Sequence, residues 1–321
     1  MMSMHWETIR GGRGTCRESG PPLRNAVQDY LTHLKATGRS AATIESYAGS
    51  LAALGALLGS DIPLEDLSAD VLETAVAGMN GDGDDEPQRS ETTLNRYRST
   101  YRGFGRWAFE SGRASRNPAE RLRLARVDSP PTIPITPDET RLLLRTIQRS
   151  GEPLSLRDEA LFSIYAFTGL RRTEALGLSV SDYDTVRRTL QVRNGKGRRV
   201  RTVPVVPALG AVLDKLLTGT VCGQERLFPG RVPGRGLTPR QAQWRFEHWK
   251  TVAGLRDELT IHSFRAGFAT ALHKGSGDVV LVSRALGHRD LRPTLRYIEL
   301  HPRKLRLAME RSLVGGRTVS A

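Results

Sequence analysis

The chain has 321 residues, of which 38% are hydrophobic and 26% are charged. This composition is ordinary for a soluble protein with a hydrophobic core, and the length suits two domains or one large domain. The 48 lysines and arginines outnumber the 34 aspartates and glutamates, which gives a formal net charge of +14. A chain this basic attracts polyanions and gains affinity by releasing their counterions, so the charge favours a nucleic acid partner over a merely basic soluble protein.

Three simple features exclude other classes of protein. The two cysteines, Cys16 and Cys222, lie far apart and cannot by themselves form a disulfide framework or a four-ligand zinc site. No apolar run approaches the roughly 20 residues that span a bilayer. The N-terminus lacks the apolar stretch of a signal peptide. We therefore expect a reducing, cytoplasmic location and no membrane partner.

The first part of the chain predicts a small all-helical domain. Residues 1–22 show no period and are interpreted as a loose basic leader. From residue 23 onwards, apolar side chains recur at helical spacing, and a polar, acidic loop interrupts them at 80–90. We predict four amphipathic helices within 23–126, which begin near Leu23, Thr43, Ala69 and Thr92.

The second part of the chain predicts a mainly helical domain with a small β-hairpin. Four prolines within residues 127–137 indicate an extended interdomain linker. Residues 138–301 then form the second domain, and 302–321 form a tail with its own helix. The Asn194-Gly195-Lys196-Gly197 segment predicts the hairpin turn. We predict strands at 189–193 and 200–206 and helices at 138–149, 160–167, 241–253, 262–273, 279–286, 294–300 and 303–313.

His262 and Arg265 are the first candidate functional pair. They stand three residues apart, so a helix places both on one face. On the opposite face we expect an apolar stripe, formed by Phe264, Phe268, Ala271 and Leu272, to be buried. An isolated pair of this kind is more commonly a solvated helix face.

Arg171 is the second candidate, because it directly follows the predicted buried helix and its glycine stop at Gly169. A planar guanidinium suits phosphate, since its fork makes two parallel charge-assisted hydrogen bonds. Glu174, three residues further on, can support Arg171 by hydrogen bonding. By itself this segment is more commonly a structural ion pair.

Lys196 and Tyr297 complete the set of candidates. Lys196 lies at the tip of the hairpin; the glycines beside it do not form a phosphate-binding loop, because the required upstream Gly and the following Ser or Thr are missing. Tyr297 comes nine residues after His288. A tyrosine has an ordinary pKa near 10, so a nucleophilic role requires cations and a base close to it.

Together these segments resemble the tyrosine recombinase (phage integrase) family over roughly residues 24–313. The family pattern is Arg, Lys, His-x-x-Arg, His or Trp, and Tyr. The words around these positions also match, namely Thr-Gly-Leu-Arg, Phe-Ala-Thr and Leu-Gly-His. The chain departs from the pattern at Ala266, where members often have His, and at Arg289 and Pro293. The pattern falls in order on Arg171, Lys196, His262, Arg265, His288 and Tyr297.

The resemblance implies a two-domain, C-shaped clamp on double-stranded DNA, with an N-terminal core-binding domain and an α+β catalytic domain. Tyr297 would attack a scissile phosphate and form a 3′-phosphotyrosyl link. His262 would act as general acid and base, and Lys196 would protonate the departing 5′ oxygen. The remaining catalytic residues, Arg171, Arg265 and His288, would hold the non-bridging oxygens. Such a reaction needs neither metal nor cofactor.

The resemblance also implies partners. Two duplexes exchange strands through four cuts, so one tyrosine per chain implies a homotetramer in the synapse, and an accessory DNA-bending or recombinase partner remains open. The tail is expected to dock either on its own chain or on a neighbour. Arginines of the fourth predicted helix are candidate DNA contacts: Arg96, Arg98, Arg102 and Arg106.

Two alternative functions stay open at the level of sequence. A type IB topoisomerase shares the catalytic chemistry but only relaxes supercoils. A catalytically silent DNA-binding regulator shares the fold but not the reaction, although all six active positions are filled here. Hydrolase motifs such as Gly-x-Ser-x-Gly and His-Glu-x-x-His do not occur in the chain.

Overall fold

The computed structural model describes residues 20–80, 88–127, 132–193, 200–219, 225–232 and 234–288. The chain divides into two compact units, Met1–Ser129 and Pro130–Ala321. This division falls within the segment that the sequence predicts as a linker. Several predicted features lie outside the described residues, namely most of the leader, the hairpin turn and the helices at 294–300 and 303–313.

The described part of the first unit contains four α-helices that correspond to the four predicted ones. Serines begin three of them: the side chains of Ser40, Ser68 and Ser90 each accept a hydrogen bond from a backbone N–H in the first turn, which satisfies one of the free donors there. The helices are α1 (Leu23–Ala36), α2 (Ala41–Leu58), α3 (Ala69–Gly78) and α4 (Glu91–Glu110).

Aromatic side chains from α1 and α4 fill the core of this unit. The ring of Tyr30 lies 5.5 Å from that of Phe104 and 5.1 Å from that of Trp107, measured between ring centroids. Leu51 and Leu54 of α2 are buried in the same cluster. Burial of such apolar surface is the main favourable term in folding, so these helices are held by their shared core.

Helix α2 is the one helix in the described chain that is long and apolar enough to cross a membrane, judged by length and composition alone. Its 18 residues have a mean hydropathy of 1.3, so the expectation that no apolar run approaches such a length is wrong here. Packing gives it another role. Its Leu54 is fully buried, and the carbonyl of Ser50 accepts a buried hydrogen bond of 3.1 Å from the Tyr101 hydroxyl. We therefore interpret α2 as a domain helix.

The second unit is mainly helical with one small antiparallel sheet. Its strands are β1 (Tyr183–Asp184), β2 (Thr189–Arg193) and β3 (Val200–Pro204), in the order β1-β2-β3. Its helices are α5 (Pro137–Arg149), α6 (Ser155–Thr168), α7 (Arg172–Leu176), α8 (Pro207–Thr218), α9 (Pro239–Val252), α10 (Ile261–Ser276) and α11 (Val279–Leu286).

Packed aromatic rings join α6, α9 and α10 in the core of this unit. The ring of Phe264 lies 6.0 Å from that of Phe162 and 5.7 Å from that of Phe246. The incoming segment before α5 belongs to the same core, because Ile135 is buried and its N–H donates to the Ser263 carbonyl at 3.1 Å. The predicted linker therefore ends inside the packed unit.

The structure corrects several predicted boundaries in this unit. Helix α8 was not predicted, although its Pro207 suits a first helical turn and its Leu209 and Leu213 are buried. Helix α6 begins at Ser155, earlier than the predicted 160. The prediction began with the apolar run, whereas the first turns of the helix contain charged residues that are also buried. The short elements α7 and β1 carry too few residues to show a period.

Candidate active site

Arg265 is a buried arginine at the centre of the candidate site. Its Nη1 donates to the Gly169 carbonyl at 2.6 Å, and its Nη2 donates to the Leu286 carbonyl at 2.9 Å and to Nε2 of His288 at 2.7 Å. Because a guanidinium has no acceptor, His288 accepts through Nε2 and carries its proton on Nδ1. One side chain thus joins the end of α6, helix α10 and the end of α11.

The sequence-based orientation of helix α10 was partly wrong. Arg265 is buried, with 6% of its surface exposed, whereas Ala271 of the expected apolar stripe is exposed. Phe264 is buried as expected, and Phe268 and Leu272 are half-buried. The reason is tertiary: α6 and α11 both pack on α10, so the helix has no simple polar and apolar sides.

Two glycines in left-handed conformation allow these chain ends to meet. Gly169 has φ +60°, and a Cβ there would overlap the Phe268 ring. Gly287 has φ +65°, and a Cβ there would lie 3.0 Å from Cζ of Arg201. Left-handed conformation is costly for residues with a side chain, so glycine suits both positions. Gly169 lies two residues before Arg171, and Gly287 lies directly before His288.

Arg171 lies two residues after Gly169 and is held by Glu174. The Arg171 backbone N–H donates to Oε2 of Glu174 at 2.9 Å, and Arg171 Nη1 donates to Oε1 at 3.0 Å. A second arginine, Arg201 of β3, donates to both oxygens of the same carboxylate, at 3.0 and 2.9 Å. Two guanidiniums therefore share one carboxylate, which leaves positive charge in this cluster.

The carboxyl of Glu174 is ionised at neutral pH because its two arginine partners lower its pKa. Burial alone would raise the pKa of this carboxyl, since its side chain is only 5% exposed. The hydrogen bonds from Arg201 and from the Arg171 backbone, together with the charges of both arginines, more than offset burial and lower the pKa to about 2.

His262 lies at the start of α10 and keeps access to solvent. Its pKa is lowered from the ordinary value, first by partial burial and then by the positive charges of Arg172 and Arg265. The neutral imidazole is therefore the main form at neutral pH. A neutral imidazole can accept a proton, as a general base must.

The other sequence-based candidates are placed as follows. Lys196 and Tyr297 lie outside the described residues. On α4, Arg96, Arg102 and Arg106 are exposed and Arg98 is half-buried and paired with Glu91 at 2.9 Å. Among the described residues, no group of three or more His, Cys, Asp or Glu side chains lies close enough to hold a metal ion.

Sequence reasoning missed Arg201. It comes 27 positions after Glu174 in the chain, and nothing in its strand distinguishes it from the arginines at 198 and 199. The contact depends on the fold, in which the Arg201 side chain reaches Glu174 of α7 and Gly287 at the end of α11.

The fold and site define a mainly helical protein whose second unit gathers arginines and histidines from four distant segments into a cationic cluster. Such a cluster suits a phosphodiester. Residues 134–304 match the model of the phage integrase family, and residues 27–112 match the model of its N-terminal SAM-like domain.

Curated relatives agree with these matches. The tyrosine recombinase XerC of Alcanivorax borkumensis is 33% identical over 85% of this chain and 89% of its own length. The XerC protein of a Mycobacterium species, strain JLS, is 32% identical over 88% of this chain and 95% of its own length. The chain therefore belongs to the phage integrase family and is a tyrosine site-specific recombinase.

Solved structures share the fold. The Tn1549 transposon integrase in complex with a circular intermediate DNA has a TM-score of 0.72 at 18% identity, covering 91% of this chain and 99% of that one. A lambda integrase dimer bound to a core site has a TM-score of 0.68 at 20% identity, covering 92% and 87%. The mainly helical fold with a small sheet, predicted from sequence, is confirmed.

Proposed function

We propose that this recombinase binds double-stranded DNA and cuts one strand by transferring a phosphate to Tyr297. The phenolic oxygen forms a bond to phosphorus while the bond from phosphorus to the 5′ oxygen breaks. His262 takes the phenolic proton, and Lys196 gives a proton to the departing 5′ oxygen. The 3′-phosphotyrosyl link conserves the phosphodiester, so attack by a new 5′ hydroxyl reverses these steps and rejoins the strand.

The observation that carries this proposal is the fixed position of Arg265. Three hydrogen bonds hold its guanidinium between Gly169, Leu286 and His288, and Arg171 follows two residues after Gly169. Cations that are already oriented stabilise the charge that develops on the non-bridging oxygens without reorganising during the reaction. We assign Arg171, Arg265 and His288 to this role.

The protonation states of His262 and His288 suit their proposed tasks. His262 has a lowered pKa and is neutral at neutral pH, so it can accept the proton of Tyr297. His288 accepts from Arg265 through Nε2, so its proton lies on Nδ1, and we assign the Nδ1–H to a phosphate oxygen. The two histidines therefore act as a base and as a neutral donor.

We propose that both compact units contact DNA. In this division, residues 1–22 are a leader, 23–126 a core-binding domain, 127–137 a linker, 138–301 the catalytic domain and 302–321 a tail. Exposed arginines on α4 supply phosphate contacts, which fix register and give salt-dependent affinity. Support comes from the integrase and recombinase structures of the same fold, which hold DNA.

We propose a homotetramer as the working complex on DNA, because four strand cuts need four tyrosines. The tail carries an apolar stripe (Leu305, Ala308, Met309, Leu313) that suits a neighbouring protomer or its own chain. A chain shortened by residues 302–321 separates these choices: loss of assembly on DNA with retained monomer binding supports docking on a neighbour. The proposed location is the cytoplasm, on the nucleoid when DNA is bound.

A nicked suicide substrate tests the reaction. Strand cleavage releases a short fragment and traps the protein on DNA, so we expect a covalent adduct with the unchanged chain and none with Tyr297→Phe, at equal DNA binding. Tyr183→Phe is a matched control, because the Tyr183 hydroxyl already has protein partners: it accepts from Arg188 at 2.6 Å and donates to Asp214 at 3.0 Å. This variant should still form the adduct. An adduct with Tyr297→Phe, or none with the unchanged chain, overturns the assignment.

The same preparation separates strand exchange from relaxation. A recombinase joins two sites, and a topoisomerase changes only the linking number of one plasmid. We expect recombinant products from a two-site plasmid that carries inverted repeats from the DNA beside the gene. Relaxation without recombinants would favour the topoisomerase alternative, and DNA binding without any adduct would favour the regulator.

A further inference from the structure

We propose that Arg201 is a positioning residue of the active site, which acts on Arg171 through Glu174 and on His288 through Gly287. This inference rests on the proposed function, because it takes Arg171 and His288 to be the residues that bind the scissile phosphate. Arg201 itself is not assigned a contact with DNA.

The first support is the geometry of the shared carboxylate. Arg201 meets Glu174 fork to fork, with Nη1 donating to Oε1 and Nη2 donating to Oε2, and such paired bonds fix orientation as well as distance. Glu174 in turn holds Arg171 at its backbone and its side chain. The side chains of Arg201 and Glu174 are 18% and 5% exposed, so water screens this link only weakly.

The second support is the contact with Gly287. A Cβ on Gly287 would lie 3.0 Å from Nη1 and Cζ of Arg201 and 3.1 Å from Nε, so the guanidinium rests directly on the glycine backbone. The next residue is His288, whose Nε2 accepts from Arg265. Arg201 therefore adjoins both halves of the cluster, the one that carries Arg171 and the one that carries His288.

Arg201 also alters the charge of the site. Glu174 paired with Arg171 alone would cancel the positive charge of Arg171 and weaken its attraction for a phosphate. With a second guanidinium on the same carboxylate, the three side chains keep a net positive charge. The pairing thus holds Arg171 in place and leaves the site cationic, which a neutral hydrogen-bond donor at position 201 would not do.

Arg201→Met in the full chain tests the proposal, with DNA affinity and the single-turnover cleavage rate on the suicide substrate measured separately. We expect affinity within about twofold and a cleavage rate lower by about 10- to 100-fold, the range expected when a catalytic group is misplaced by a fraction of an ångström to an ångström. Arg256→Met is the matched control. Arg256 also makes two parallel bonds to one carboxylate, from Nε and Nη2 to Glu139 at 2.6 and 3.0 Å, and its substitution should leave cleavage within about twofold.

A substrate with a methylphosphonate at the scissile position separates positioning from general loss of stability. It lacks one non-bridging charge, so it depends less on Arg171. If Arg201 acts through Arg171, the penalty of Arg201→Met shrinks on this substrate, as that of Arg171→Ala does. An equal penalty on both substrates would mean that Arg201 only stabilises the fold, and it overturns the proposal.

Two further variants keep the test decisive. Arg201→Lys retains charge and most of the side-chain volume but loses the fork, so we expect an intermediate rate even where Arg201→Met folds poorly. Combining Arg201→Met with Glu174→Gln should cost less than the sum of the two single losses, because both act on one link. Fully additive losses contradict a route through Glu174.

The Arg171→Ala variant distinguishes a failure of this inference from a failure of the proposed function. If Arg171→Ala leaves cleavage intact, the phosphate-binding assignment is wrong and the role of Arg201 has no basis. If Arg171→Ala abolishes cleavage while Arg201→Met and Arg201→Lys match the unchanged chain, the proposed function stands and the positioning role is overturned.

Discussion

Two buried carboxylates in the Pro130–Ala321 unit, Asp158 and Glu174, each receive hydrogen bonds from two arginines. The two clusters differ in how far their arginines remain exposed to solvent. Asp158 is fully buried and accepts from Arg157, Arg245 and the Trp249 indole. Glu174 is nearly buried and accepts from Arg171 and Arg201.

The difference lies in what the arginines still offer to solvent. Around Asp158 the arginine side chains are 12% and 23% exposed, and Arg245 also donates to Glu152 at 2.7 Å, so both arginine charges are paired with carboxylates of the protein itself. At Glu174, Arg171 keeps 42% of its side chain exposed. The arginines at Asp158 are mostly buried, whereas Arg171 at Glu174 remains accessible to solvent. An accessible arginine can bind an external anion, and we call the Glu174 cluster the open cluster.

The largest effect on stability is expected for Asp158→Ala. Removing this carboxylate leaves two arginines and an indole N–H without their buried acceptor, and breaking a buried pair in this way costs about 3–5 kcal/mol. Denaturant unfolding measures the loss. Asp138→Asn is the matched control, because its pair with Arg141 is exposed and should contribute about 1 kcal/mol or less. A loss at Asp158 no larger than at Asp138 breaks the comparison.

Among the variants that retain Tyr297, Arg265→Lys should have a large effect on catalysis. Lysine keeps the positive charge but cannot hold the two carbonyls and His288 together, so the cleavage rate on a suicide substrate should fall by about 10²–10³-fold, as for loss of a preorganised donor. DNA binding, measured by gel shift, should change little because phosphate contacts elsewhere supply affinity. A rate within tenfold of the unchanged chain would remove Arg265 from the proposed role.

Arginine clusters of this kind can be recognised from sequence only in part. Arg171, Arg265 and His288 were identified because each lies in a short word that resembles a known family. Their closeness in space could not be derived, since it depends on how α6, α10 and α11 pack. For the same reason the expected burial of Ala271 was wrong, whereas the helices with a clear period were predicted to within a few residues.

Gly287→Ala tests the contact between Gly287 and Arg201 in the open cluster around Glu174. Its φ of +65° costs a side chain about 1–2 kcal/mol, and the new Cβ presses on Arg201. Gly277→Ala is a close control, because Gly277 also ends a helix with φ +68° but a Cβ there meets nothing within 4 Å. We expect similar losses of unfolding free energy in both variants and a slower cleavage rate only in Gly287→Ala. Equal cleavage rates in the two variants would mean that the contact between Gly287 and Arg201 does not affect catalysis.

Arg172→Met is expected to give the smallest effect, a shift in pH dependence. The positive charge of Arg172 helps to lower the pKa of His262, so its removal raises that pKa. A base is lost as pH falls through its pKa, so the acid limb of the cleavage rate should move to higher pH. Glu174 does not interfere, since its pKa is about 2. An acid limb that stays in place or moves to lower pH would exclude His262 as the base.

Two features of the second unit could not be obtained from the sequence, namely helix α8 and the role of Arg201. Helix α8 was missed because prolines and glycines surround its apolar residues, and Arg201 because its carboxylate partner lies on another element. The positions of Glu174 and Gly169 beside Arg171 were visible, since both are local. Contacts within a few residues are thus predictable, and contacts that depend on chain crossings need the fold.

The most direct measurement is the identity of the residue that becomes attached to DNA. The unchanged chain is trapped on a suicide substrate, digested with protease, and the DNA-linked peptide is sequenced by mass spectrometry. We predict a single phosphotyrosyl link at Tyr297, whose yield falls by about 10²–10³-fold in Arg265→Lys while DNA binding is retained. A link at another residue, or an undiminished yield in Arg265→Lys, would contradict it.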